Sequence, residues 1–129
     1  MAVNVLVVDD SSTMRHMVMR ALELSGAPLG QVLEAANGRE ALDALAANWI
    51  DLVLTDINMP VMDGVEMLRA MRDSGLLATM PVVVISTEAN DQRIHELRDM
   101  GVGAYLRKPF RPELLRATLE ELLGYHHEG

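Results

Sequence analysis

No cysteine occurs in the 129-residue sequence, which excludes a disulfide framework and any thiolate metal site. Aromatic residues are scarce: one Phe, two Tyr and one Trp, too few for a platform on which nucleic-acid bases stack. Cationic residues are the minority, 11 Lys and Arg against 19 Asp and Glu, for a formal net charge of -8. That balance opposes sequence-independent binding to DNA, RNA or an anionic membrane surface. Hydrophobic residues make up 50% of the chain, yet no apolar run is long enough to cross a bilayer. The opening MAVNVLVVDD lacks the basic start and cleavage site of a secretory signal. The expectation is one cytoplasmic domain over residues 1–129, monomeric, with no nucleic-acid partner and no membrane insertion. The closing YHHEG carries two histidines that could hold a metal, but a frayed tail is the preferred reading.

What the chain does contain is alternation. Short β-branched runs at residues 3–8, 31–35, 51–55, 81–86 and 104–107 are separated by segments of helical period. VNVLVV, DLVLT and PVVVIS are almost continuously apolar, as strands covered on both faces are. In the first helical segment Met14, Met17, Val18, Ala21 and Leu22 share one face, with Arg15, His16, Met19 and Glu23 on the other. In the last, Leu115, Leu119 and Leu122 line up, flanked by Leu114 and Leu123, while Glu113, Arg116 and Glu120 point away. The fourth helix, DQRIHELRDMG, is different: Ile94, Leu97 and Met100 form a thin apolar stripe among charges, so its anchorage should be weak. Five β/α units with short connections predict an α/β fold, a parallel sheet flanked by helices and joined by right-handed crossovers.

In such a sheet ligands bind beyond the carboxyl ends of the strands, where the winding reverses. Those ends carry Asp9-Asp10, Asp56, Ser86-Thr87-Glu88 and Lys108-Pro109. Each has an ordinary explanation alone. One of Asp9, Asp10, Ser11 and Ser12 should cap the first helix, and Asp56 could open a turn. Their joint placement on one rim is harder to explain without a ligand. Three carboxylates brought together repel, and a hard divalent cation relieves the repulsion. Mg2+ suits one or two carboxylates with water and phosphate oxygens completing its shell. Histidine and cysteine are missing from the set, which disfavours zinc. A lysine and a hydroxyl beside the metal suit an anion. Phosphoryl transfer to an aspartate, giving an acyl phosphate, is the chemistry these groups suggest.

The motifs VVDDSS, LTDINMPVMDG, VISTEA and AYLRKPF, in that order over about residues 3–123, resemble the response-regulator receiver family and, within it, CheY-like chemotaxis regulators. The resemblance implies a flavodoxin-like five-stranded parallel sheet of order 2-1-3-4-5 with five helices. It implies that Asp56 is the phosphoacceptor, taking a phosphoryl group from a sensor histidine kinase. Asp9, Asp10, Asp56 and the backbone carbonyl of Asn58 would hold Mg2+. Lys108 would pair with the phosphoryl oxygens, Ser86 would hydrogen-bond to one of them, and the Lys108-Pro109 bond would be cis. Tyr105 would be the switch aromatic, and the face of the fourth helix, fifth strand and fifth helix would bind a downstream target through Ala89, Ile94, Tyr105 and Arg107. Asn58, Thr87 and Glu88 would tune the lifetime of the acyl phosphate. The protein would assist its own phosphorylation and dephosphorylation without being an enzyme toward other substrates.

Two positions depart from the pattern. Thr87 stands where Ala or Gly is usual, and its bulk should slow self-dephosphorylation by crowding the attacking water. Thr118 and Glu121 stand where motor-binding members tend to carry lysine, although Arg107, Arg111 and Arg116 are nearby in sequence. His95 reads as a solvated surface residue, the methionines as core filler, and Met59 and Met62 as loop residues that could meet the kinase. Three other functions fit less well. A phosphorelay intermediate would pass the phosphoryl group to another histidine, whereas Asn58, Glu88 and Tyr105 favour an effector binder. An aspartate-nucleophile phosphatase needs a general acid where Asn58 stands. A flavin binder needs a phosphate-cradling loop where DDSSTM begins with two negative charges.

Overall fold

In a computed structural model, which describes residues 2–87 and 90–124, five strands form one sheet of order β2-β1-β3-β4-β5, every pair parallel. The strands are β1 (Val3–Val8), β2 (Leu29–Ala35), β3 (Leu52–Thr55), β4 (Val82–Ser86) and β5 (Ala104–Arg107). The helices are α1 (Ser12–Ser25), α2 (Gly38–Ala47), α3 (Gly64–Asp73), α4 (Asp91–Met100) and α5 (Pro112–Leu123), with one 3-10 turn at Leu76–Ala78. Fold class and strand order are those the sequence predicts. Glu88, Ala89 and the closing YHHEG lie outside the described residues.

Strand side chains alternate between two apolar layers, as the two-residue period of a strand requires. Val3, Val5 and Val7 of β1 face α1 and α5, packing with Val18, Leu22, Leu115 and Leu119. Leu6 and Val8 face α2, α3 and α4, packing with Ala41, Leu68, Met71 and Leu97. All these side chains are buried, and each contributes about 1.5–3 kcal/mol when its Val, Leu, Ile or Met side chain leaves water. The helices start where the sequence offers caps. Ser11 accepts from the Met14 N–H, Asn37 from Glu40, and Asn90 from Gln92 and Arg93. Asp63 and Glu66 form a reciprocal capping box at α3. Pro112 opens α5, where its missing N–H costs nothing.

Three details differ from expectation. Strand β2 begins at Leu29 rather than residue 31, because Asn4 bridges a bulge: its Oδ1 accepts from the Gln31 N–H at 2.8 Å while the register slips between Val3 and Val5. A Cβ at Gly30 would collide with that same Asn4 oxygen, so a side chain there would displace the Asn4 amide from its bond to Gln31. On α1, Met17 is exposed at 58% and Met19 packs partly against the core, the reverse of the predicted faces. The inward stripe is Val18, Ala21, Leu22 and Ser25, and Met17 lies a quarter turn off it. On α5, Leu114 is half exposed, while Leu122 and Leu123 join the layer beneath the helix. Helix α4 is as thinly anchored as predicted: Leu97 alone is buried, with Ile94 and Met100 only partly covered.

The opposite rim, at the amino ends of the strands, holds a separate polar group. Asp51 accepts from the Asn4 N–H through Oδ2 and from the Trp49 indole through Oδ1, with Trp49 otherwise 80% exposed.

Candidate functional site

The carboxyl ends of the strands are brought into register by the ladder itself, which runs one residue past the formal strands. The Asp56 N–H donates to the Val8 carbonyl at 2.9 Å, and the Asp9 N–H to Ala35 at 3.1 Å. The Lys108 N–H donates to the Ser86 carbonyl at 2.9 Å. Strand ends distant in sequence are thus fixed in adjacent pairs, β1 with β2, β1 with β3 and β4 with β5, by backbone bonds before any side chain takes part.

The side chains then converge. The Lys108 ammonium lies 3.1 Å from Asp9 Oδ2 and 3.2 Å from Asp56 Oδ2. Side-chain exposures of 9%, 5% and 15% for Lys108, Asp9 and Asp56 place this trio largely out of water. The remaining carboxylate oxygens are held too: Asp9 Oδ1 accepts from the Ser11 N–H at 3.0 Å, and Asp56 Oδ1 from the Ile57 N–H at 2.7 Å. Two formal negative charges facing one positive charge in a sheltered site leave the trio short of cation. The Lys108-Pro109 bond is cis, as the sequence resemblance implied.

The donors fit Mg2+. Among the described residues no group of three or more His, Cys, Asp or Glu side chains is assembled as a metal cluster. Mg2+ does not need one, since it binds through one or two carboxylates and keeps several waters. Asp9 and Asp56 already converge on one cationic group, Asp10 is exposed on the same rim, and Asn58 is exposed two residues past Asp56.

The loop after Asp56 is tightly built. The Gly64 N–H donates to the Ile57 carbonyl at 2.7 Å, and a Cβ at Gly64 would strike the Asp56 carbonyl oxygen, so only glycine lets α3 start this close. Within the loop the Met62 N–H donates to the Pro60 carbonyl at 2.7 Å across Val61, whose φ is 66°. That three-residue turn is strained for a β-branched residue. Met59 and Met62 are half-buried against the α2–α3–α4 layer, more core than loop tip.

The response regulator receiver domain model matches residues 5–120 of this sequence. This chain belongs to the response-regulator receiver family. It is 39% identical over 120 residues to a chemotaxis protein CheY homolog of Campylobacter jejuni, covering 92% of this chain and 91% of that one. It is 40% identical to chemotaxis protein CheY1 of Helicobacter pylori over 92% of this chain and 95% of that one. The crystallised chemotaxis protein CheY4 of Vibrio cholerae superposes with a TM-score of 0.81 at 36% identity, covering 94% of this chain and 98% of that one.

The receiver's other expected positions are spread around the trio. Ser86 is buried at the end of β4. Thr87 is exposed and shares with Lys108 and Pro109 a groove of about 680 Å³ against α1, where Met14, Met17 and Phe110 also line the wall. Tyr105 is half-buried against the α2–α3–α4 layer, paired across the ladder with Val84. Ile94 is half-buried and Arg107 exposed; Glu88 and Ala89, which the sequence assigned to lifetime and output, lie outside the described residues. Thr118 bonds back to the Leu114 carbonyl at 2.8 Å, so its hydroxyl serves its own helix. His95 is on the surface beside Asp99, at 3.5 Å.

One residue of this region escaped the sequence reading, which placed it on the outer face of α1. Arg15 donates through Nη1 to the Asp9 carbonyl at 2.7 Å and through Nε to Glu34 Oε1 at 3.0 Å. A signal was present: a cation in the first turn of a helix opposes the helix dipole and calls for some other partner.

Proposed function

We propose that this receiver accepts a phosphoryl group on Asp56 from the phosphohistidine of a sensor histidine kinase, in a Mg2+-dependent reaction. The modified protein then binds a downstream target in chemotaxis or motility control through its α4–β5–α5 face. The observation that carries the first part is the sheltered trio, in which Lys108 bridges the acceptor Asp56 and the acid Asp9. The chemotaxis names of its relatives support the second.

In the transfer a carboxylate oxygen of Asp56 forms a bond to phosphorus as the phosphorus–nitrogen bond of the phosphohistidine breaks. The imidazole departs with that electron pair and takes up a proton. Asp56 needs no base, because a carboxylate is already a nucleophile. Lys108, 3.2 Å from Asp56 Oδ2, is placed to donate to the oxygens of the arriving group. Asp9, Asp10, Asp56 and the Asn58 carbonyl would hold Mg2+, which supplies charge neutralisation for the phosphoryl oxygens. Ser86, linked to Lys108 by a backbone bond, would give a hydroxyl to the same anion. Moving β4's end in this way would bias Tyr105 and the weakly held α4 toward a second arrangement, a population shift driven by one covalent change.

The test is an intact mass spectrum after incubation with acetyl phosphate, with and without Mg2+, beside Asp56→Asn. One phosphoryl group added only with Mg2+, and absent from the variant, is the expected result. No adduct under any condition, or an adduct retained by Asp56→Asn, would overturn the assignment.

A further inference from the structure

Four restraints hold the short connection between β1 and α1. The Asp9 N–H is bound to Ala35, Asp9 Oδ1 to the Ser11 N–H, and Ser11 Oγ to the Met14 N–H. The fourth is the 2.7 Å bond from Arg15 Nη1 to the Asp9 carbonyl, and it has a distinct effect. That carbonyl belongs to the peptide unit joining Asp9 to Asp10, so fixing its oxygen fixes the plane from which Asp10 projects. The guanidinium is itself seated: its Nε donates to Glu34 Oε1 at 3.0 Å, on the edge strand β2, and its side chain is only 17% exposed. The planar fork presents Nη1 and Nε at fixed, separate positions, one to each partner, whereas a lysine carries all its donors on a single nitrogen.

We propose that Arg15, anchored by Glu34, is a positioning residue that sets the donor geometry of the Asp9–Asp10 pair and through it the affinity for a divalent cation. This rests on the Mg2+-dependent acceptor reading given above. Charge and geometry make opposite demands here. A guanidinium beside an acidic site repels a second cation, so if its charge were the whole effect, Arg15→Ala would tighten Mg2+ binding. A brace requires that the same substitution weaken it.

The experiment is calorimetric titration of the unphosphorylated protein with Mg2+, with a thermal melt of each variant. Arg15→Ala is expected to raise the Kd about ten-fold, as loss of a partner behind a metal ligand does. Arg15→Lys keeps the charge but offers one donor head, and is expected to raise it by a smaller factor. Adding Glu34→Ala to Arg15→Ala should change nothing further, because the brace is already gone. An unchanged or lower Kd in Arg15→Ala overturns the proposal. Should that variant fail to fold, a wild-type Kd in Arg15→Lys overturns it instead. No Mg2+ binding by the wild type would remove the acceptor reading itself and the brace with it, an outcome separate from the others.

Discussion

At the scale of single residues, the trio of Asp9, Asp56 and Lys108 makes unequal demands on its members. Removing Lys108 strands two sheltered carboxylates together, whereas removing the Asp56 charge leaves one acid facing one ammonium. Lys108→Ala is therefore expected to lower stability by about 3 kcal/mol, with part of the loss recovered in Mg2+; Asp56→Asn should cost little or nothing. Urea melts of both, with and without the ion, check this, and an equally destabilised Asp56→Asn would show that the charges are not the cause. Val61 makes a second case. Its φ of 66° is ill suited to a β-branched side chain, and Asn tolerates that region, so Val61→Asn should gain about 1 kcal/mol. A loss of stability on that change would mean the turn is not strained. Thr87, exposed beside Lys108, should shield the acyl phosphate: in Thr87→Ala the phosphoryl group is expected to decay several-fold faster, read by mass spectrometry over time. The acidic and basic residues of the rim were legible because each closes an apolar run. Arg15 was legible only as a cation in need of a partner, since which partner depends on where a neighbouring strand edge lies, and Val61 was not legible at all, since no residue type announces its backbone angle.

Among the elements, α4 and α3 are a matched contrast. Each is ten residues long and capped by an acid or amide, yet α3 buries Val65, Met67, Leu68 and Met71, while α4 buries Leu97 alone. Amide hydrogen exchange should be markedly faster across residues 91–100 than across 64–73, the sign of local opening. Equal protection would contradict the account of α4 as a moving part. The strands were legible from their β-branched runs and their parallel direction from the short alternating units, while the order 2-1-3-4-5 came only with the family resemblance. The early start of β2 was not: Gly30 reads as a turn residue until Asn4 is seen to bridge the bulge. The outward placement of Met17 was equally hidden, because helical period gives the apolar arc but not which of its flanks α5 and the sheet will cover.

For the molecule as a whole, the parallel sheet separates two polar rims. The carboxyl rim gathers Asp9, Asp56 and Lys108, while the amino rim carries Asn4, Asp51 and Trp49 tied to one another. Such polarity follows from every strand running the same way, and it is why a rim could be assembled from the sequence before any distance was known. It also decides what light can report. Trp49 is the single tryptophan, 80% exposed and hydrogen-bonded at the end of β3 away from Asp56. Its emission should stay constant as Mg2+ or acetyl phosphate is added, and should be quenched by soluble acrylamide to the same degree before and after. The chromophore is thus spectroscopically deaf to the rim where signalling would occur, and intrinsic fluorescence can serve as an internal reference against which a dye placed near Tyr105 is read.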